Sequence, residues 1–134
     1  VDAATFDRMI SSDALLEWAE YAGNRYGTPR APLEDAVGRG RTVLLEIEVQ
    51  GALQVRDRLP EALLIFLVPP AFDELERRLR DRGTEDESTV QARLEVARSE
   101  MGAQEHFDHV VVNADLEQCT AEVARHIARA RSGL

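Results

Sequence analysis

Lysine is missing from this sequence: all sixteen of its basic residues are arginine, so no chemistry that needs a lysine amine can come from these 134 residues. Cysteine is nearly missing too. The single Cys119 cannot close an internal disulfide, which fits a reducing, cytoplasmic setting, and its helical surroundings point to packing rather than reactivity. No apolar run is long enough for a bilayer, since the longest extends only from Ala62 to Pro70, and no basic stretch precedes an apolar one at the start. No membrane partner is therefore expected. Positive charge is in deficit: the formal net charge of -9 argues against a nucleic-acid partner, because phosphate backbones require a basic footprint. An anionic ligand must then be held by local groups of arginines. Internal repeats and low-complexity segments are absent as well.

What remains reads as one ordinary globular domain, with 44% hydrophobic and 31% charged residues. Asp2 caps a short helix carrying Phe6, Met9 and Ile10 at helical spacing. From Leu15 to Thr28 the pattern is extended, with a turn signal at Gly23-Asn24, and Pro29 and Pro32 then open a small helix that stops near Gly38 and Gly40. Val43, Leu45, Ile47 and Val49 alternate with Leu44, Glu46 and Glu48, which predicts a strand with two carboxylates at its C-terminal end. Gly51 to Leu59 reads as a helix stopped by Pro60. Ala62 to Val68 is continuously apolar, as in a parallel strand buried on both faces.

A helix with Phe72, Leu75 and Leu79 inward ends at Gly83. Thr84-Glu85-Asp86-Glu87 has the form of a capping box that starts another, with Val90, Leu94, Ala97 and Met101 on one stripe. Val110 to Val112 makes a further buried strand ending at Asn113, and Leu116, Val123 and Ile127 mark the closing helix. This order predicts an α/β fold with a parallel sheet. Ligands of such folds bind beyond the carboxyl ends of the strands, which draws attention to Glu46, Glu48 and Asn113. On pattern alone the two acids read equally well as a solvated strand face. The arginines from Arg77 to Arg82, set among Glu74, Glu76, Asp81, Glu85 and Glu87, read as surface ion pairs.

Several motifs in one order carry a more specific resemblance. Leu16-Glu17-Trp18-Ala19-Glu20 precedes Asn24-Arg25-Tyr26-Gly27-Thr28-Pro29. Val43-Leu44-Leu45-Glu46-Ile47-Glu48-Val49-Gln50-Gly51-Ala52 follows, and then Ile65-Phe66-Leu67-Val68-Pro69-Pro70, Arg78-Leu79, Arg82-Gly83-Thr84-Glu85, Arg93-Leu94 and Val111-Val112-Asn113. The set resembles bacterial guanylate kinases over nearly the whole chain. That resemblance implies a P-loop kinase-like, three-layer α/β fold with a parallel sheet: residues 1–40 the rest of a GMP-binding segment, 41–76 core, 77–98 a helical lid and 99–134 core. It also implies transfer of the ATP γ-phosphoryl group to GMP, giving GDP and ADP, with magnesium as cofactor.

Carried over position by position, the resemblance makes Glu17 and Glu48 the acceptors for the adjacent N1 and N2 donors of guanine. Glu48 stands where the family usually has Asp, which keeps the charge and lengthens the reach. Tyr26 and Thr28 correspond to hydroxyl donors to the GMP phosphate, and Glu46 to a carboxylate near the magnesium, acting through a bound water. Arg82 and Arg93 match lid arginines that reach ATP and the transferring phosphoryl group, with Arg78 a third catalytic candidate. Asn113 resembles the residue that contacts adenine.

The family's opening strand and its G-x-x-x-x-G-K-[ST] phosphate loop are not found in this sequence, nor are its upstream Arg and Tyr positions for the GMP phosphate. The expectation is a fragment, inactive alone, of an enzyme active in its complete form. Two other functions fit the same fold: a non-catalytic module that binds phosphorylated peptides, and an inactive remnant.

Overall fold

The computed structural model describes residues 1–83 and 86–133, which form two compact units, Val1–Ala62 and Leu63–Leu134. The division falls inside the stretch 41–76 expected to be a single piece of core.

The first unit opens with α1 (Ala3–Ser11), capped by Asp2, whose carboxylate accepts the Thr5 amide at 2.7 Å. Asp13 then turns the chain in the left-handed region, φ 56°, a conformation its short polar side chain tolerates. Its carboxylate is gripped by Arg30 at 2.9 Å and Arg58 at 3.1 Å. Strands β1 (Leu15–Tyr21) and β2 (Asn24–Pro29) make an antiparallel hairpin. Its two-residue loop, Ala22-Gly23, has positive φ at both positions, the geometry that matches strand twist. A bulge at Leu16 shifts the register, so that Leu15 pairs with Pro29 while Glu17 pairs with Thr28.

Helix α2 (Arg30–Gly38) follows, and α3 (Val49–Arg58) packs on β1. Phe6, Leu15, Leu16, Ala19, Ala52 and Val55 supply this unit's core. Phe6 meets Trp18 edge-on at 6.2 Å, with the Arg25 guanidinium above the Phe6 ring.

The strand expected over Val43–Val49 is not present. Residues 41–48 have no ladder partner among the described residues, and Leu44 is 78% exposed. Alternation marks a segment able to bury one face, but a strand exists only where its amides and carbonyls pair across a ladder. Glu46 and Glu48 therefore sit on an irregular segment that runs into α3, with Glu48 as the extended residue before the helix.

In the second unit, β3 (Ile65–Val68) pairs in parallel with β4 (His109–Val112), and α4 (Phe72–Asp81) and α5 (Glu87–Met101) lie between them in sequence. A crossover of this kind is what a parallel pair requires. Helix α6 (Leu116–Arg131) closes the chain, and Cys119 is buried on it as expected. The cap of α5 differs from the one expected. Thr84 and Glu85 lie outside the described residues, and the cap of α5 is Asp86, which accepts the Thr89 amide at 2.9 Å.

The apolar strands are not buried on both faces. Ladder partners share a face, so Ile65, Leu67, His109 and Val111 lie on one side and Phe66, Val68, Val110 and Val112 on the other. On the first side α6 covers β4, with the His126 ring stacked on His109 and Val111 fully buried, while Leu67 is 54% exposed. On the second side Phe66, edge-on to Phe107, and Val68 are buried, while Val112 is 49% exposed. Among the described residues, burial on each face is concentrated over one strand.

Candidate functional site

A cleft of about 250 Å³ in the first unit is lined by Glu17, Tyr26, Gly27, Thr28, Glu46, Ile47 and Glu48. Five residues singled out from the sequence, spread over more than thirty positions, thus meet at one place. The hairpin register explains half of this. Glu17 and Thr28 are direct cross-strand partners, and Ala19 opposite Tyr26 is the next pair on the same face, so Glu17, Tyr26 and Thr28 all point one way. The irregular segment before α3 brings the two other acids.

Glu17 is only 2% exposed. A buried carboxylate has to be hydrogen-bonded, and the Thr28 hydroxyl donates to its Oε1 at 2.7 Å. Thr28, expected to reach a phosphate, therefore has its proton engaged by Glu17, and its geometry here is that of a residue orienting the acid. Glu46 is exposed and Glu48 half-buried, and neither carboxylate has a hydrogen-bond partner among the described residues. Glu48 makes no side-chain bond to the amides of α3, so its acceptor capacity faces the cleft unspent. The Tyr26 ring is half exposed at the cleft mouth.

Two contributors on α3 carried no signal of their own in the sequence. Gly51 lies against the Glu17 carboxylate: a β-carbon built there would fall 2.2 Å from Oε2. Gln54, one turn on, accepts the Trp18 amide at 3.1 Å and donates to the Trp18 carbonyl at 2.6 Å, bridging the free edge of β1. Arg58 continues the stripe by donating to the Leu15 carbonyl at 2.8 Å. The spacing 51, 54, 58 is one helix face, and the signal is visible only once β1 is known to lie beside it.

The second unit carries the arginines singled out from the sequence. Arg78 donates to Glu74 at 3.1 Å and to the Asn113 carbonyl at 3.1 Å, so these two predicted residues meet through the Asn113 backbone. The Asn113 amide in turn donates to the Val68 carbonyl at 2.7 Å, which ends the parallel ladder. Arg82 is the exposed residue capping α4, followed by Gly83 at φ 63°, where a left-handed residue ends a helix readily. Arg93 is half-buried on α5 beside the buried Leu94.

Around these residues runs a surface lattice. Arg77 pairs with Glu74, and Arg80 pairs with Glu76 at 3.0 Å and with both oxygens of Glu87. Hydrogen bonds from Arg80, and then from Gln91, hold the Glu87 carboxyl down to about 2, and the same contact raises Arg80 above its ordinary value. Among the described residues no group of three or more His, Cys, Asp or Glu side chains is placed so as to hold a metal ion between them. Glu46 is a single exposed carboxylate in the cleft, a donor that suits a hard cation completing its shell with water and phosphate oxygens.

Fold and cleft together define an α/β protein with an acid-lined pocket suited to a ligand rich in N–H donors. A family model described as guanylate kinase matches residues 1–130. The chain is 54% identical over 123 residues to a guanylate kinase of Synechococcus sp. (strain CC9902), covering 92% of this chain and 66% of that protein. To a guanylate kinase of Thermus thermophilus it is 52% identical over 135 residues, covering 99% of this chain and 61% of the relative. A crystal structure of guanylate kinase from Anaplasma phagocytophilum superposes with a TM-score of 0.77 at 39% identity, covering 97% of this chain and 62% of the other. The chain belongs to the guanylate kinase family, and it spans somewhat under two thirds of the length of these relatives.

Proposed function

We propose that this chain contributes the guanine-recognition cleft and the phosphate-binding arginines of an enzyme that transfers the γ-phosphoryl group of ATP to GMP, giving ADP and GDP. The observation that carries this reading is the convergence of Glu17, Tyr26, Thr28, Glu46 and Glu48 on one cleft. Guanine presents adjacent N1 and N2 donors, and Glu17 and Glu48 are acceptor-only groups that take them. Adenine has an acceptor at N1 and no N2 amine, so it would leave the acids unpaired, and a site that buries unpaired polar groups against the wrong base discriminates by roughly 10⁴-fold. Tyr26 offers a hydroxyl at the mouth of the cleft for the GMP phosphate.

In the transfer an oxygen of the GMP phosphate bonds to the γ-phosphorus as the bond to ADP breaks, and positioning with charge neutralisation carries most of the rate. With lysine absent from the sequence, neutralisation from these residues falls to Arg82, Arg93 and Arg78, whose planar forks suit phosphate oxygens. Asn113 is assigned to adenine. Magnesium bound with ATP supplies further charge at the phosphates, and Glu46 would hold one of its waters. The enzyme is assigned to nucleotide metabolism in the cytoplasm, and no helix among the described residues is long and apolar enough to cross a membrane.

Titrating GMP and AMP separately into the purified chain tests the recognition half. Saturable GMP binding with AMP at least about 10²-fold weaker is expected, well inside the limit for such sites. Equal affinities, or no GMP binding, would overturn the assignment. Exchanging the chain for the 123 residues it matches in the Synechococcus relative tests the transfer half, with ATP-dependent GDP formation by the chimera as the expected result.

A further inference from the structure

Helix α3 presents a glycine at its first turn, where the chain gains nothing from conformational freedom. Gly51 is buried and helical, its φ is not positive, and a glycine inside a helix lowers helix stability relative to alanine. Its neighbour explains it. A β-carbon at position 51 would lie 2.2 Å from Oε2 and 3.0 Å from Cδ of Glu17, far inside van der Waals contact. Those atoms are the far end of a flexible side chain, so the helix and hairpin need not move to relieve the clash. The carboxylate would move instead.

On the sides away from the cleft Glu17 is held by its neighbours. Thr28 fixes Oε1, the gap at Gly51 receives Oε2, and Gln54 brackets the Trp18 peptide so that the next residue along β1 cannot slide against α3. We propose that Gly51, assisted by Gln54, is a positioning residue that sets how far Glu17 extends into the cleft and thereby determines selection of a guanine base. Neither residue touches the ligand. Gly51 acts by the volume it leaves empty and Gln54 by holding the strand. The inference rests on the reading of the cleft as a GMP site and deepens it, because the acid's reach becomes a property of α3 rather than of Glu17 alone.

The test is calorimetric titration of GMP and AMP into the full chain and into Gly51→Ala, Glu17→Asp, the double variant and Gln54→Ala, with a thermal midpoint for each. Gly51→Ala is expected to weaken GMP binding at least about 10-fold while the midpoint holds or rises, since alanine is the better helix former. A residue needed only for folding would give the opposite pattern, a lowered midpoint with affinity retained. Glu17→Asp should weaken GMP binding in the unsubstituted chain but strengthen it when added to Gly51→Ala, because removing one methylene clears the collision. Gln54→Ala should weaken GMP and speed exchange of the Trp18 amide, and Gln54→Glu, which keeps the acceptor for that amide, should restore its protection.

If Gly51→Ala does not fold, the double variant decides: recovery of folding and GMP binding supports the collision with Glu17, and failure to recover rejects it. Unchanged GMP affinity in Gly51→Ala, or a Glu17→Asp effect of the same sign in both backgrounds, sinks the proposal and leaves the GMP reading standing. Absence of GMP binding by the unsubstituted chain sinks the reading, and this proposal with it.

Discussion

The two units handle charge in opposite ways. In Val1–Ala62 Glu17, the acid proposed to read the base, is buried, accepts one hydroxyl proton and fits a gap left by a glycine, so its position is set before any ligand arrives. In Leu63–Leu134 Arg82 is exposed at a helix end and its neighbours Arg77 and Arg80 are exposed and engaged with nearby carboxylates, while Arg78 and Arg93 are half-buried. A group that must read the pattern of donors on a base gains from rigidity. A group that must meet and release phosphates gains from partners that exchange at little cost, since exposed ion pairs contribute little to stability. On the proposed function, selectivity would fall to a fixed acid in the first unit and charge neutralisation to arginines of the second, built from different materials.

The largest effect that would sharpen this contrast is kinetic. In the Synechococcus chimera, Arg82→Ala or Arg93→Ala should lower kcat by about 10² or more, given that a phosphoryl-transfer arginine is worth ~10³ to 10⁵. GMP affinity should change much less, and steady-state kinetics with GMP varied separates the two. Wild-type kcat in both variants would remove the arginines from the mechanism.

Next in size is a core deletion. Leu94, fully buried on α5, should cost about 2 to 5 kcal/mol when truncated to Ala, read by urea unfolding. Where the protein is still folded, its GMP dissociation constant should be unchanged, and a parallel loss of GMP affinity would break the assignment of base recognition to the first unit.

Glu17→Gln comes third. It replaces an acceptor-only group by one that turns a donor toward the base or toward Thr28, and should weaken GMP by about 10-fold to 10²-fold, the size of a charge-assisted hydrogen bond. Binding of AMP should hold or strengthen, because the amide can donate to the acceptor N1 of adenine. Smallest of all is the pH response of the second unit. Glu87 titrates at about 2 against an ordinary value of 4.5, so its contribution to stability is complete above 4.5 and fades as the pH falls toward 2. The difference in thermal midpoint between the chain and Glu87→Gln should follow that course and shrink with added salt, because the pair is exposed. A difference that grew on acidification would reverse the assigned direction.

Much of this was legible because special residues leave special traces. Asp2, the glycine at the hairpin turn, the prolines around α2 and the glycine after α4 each announced an element edge by a local mechanism, and those edges fall within a residue or two of the expected positions. Glu17, Glu46 and Glu48 were singled out by resemblance, through motifs local in sequence, and the structure brings them to one cleft. The strand expected over Val43–Val49 was not borne out because alternation describes a segment's own faces and says nothing about a partner. The cap of α5 moved to Asp86 because acidic residues crowd that corner and only geometry chooses among them. The burial of Glu17, the gap at Gly51 and the Gln54 bracket were illegible for a related reason: each is a contact between β1 and α3, more than thirty residues apart.

The hairpin has one further consequence, and it is optical. The sequence has one tryptophan and two tyrosines, and all three, Trp18, Tyr21 and Tyr26, lie on β1 and β2. Nearly all near-ultraviolet absorbance and all indole emission of the protein therefore come from strands that bear Glu17 and Thr28, with Trp18 itself pressed edge-on against Phe6 and its peptide clasped by Gln54. An emission spectrum of the unlabelled chain watches the cleft's own framework, and α4, α5 and α6 contribute no tryptophan or tyrosine to it. Comparing a fluorescence melt with a far-ultraviolet dichroism melt then tells whether the two units lose structure together, with no dye, tag or substitution.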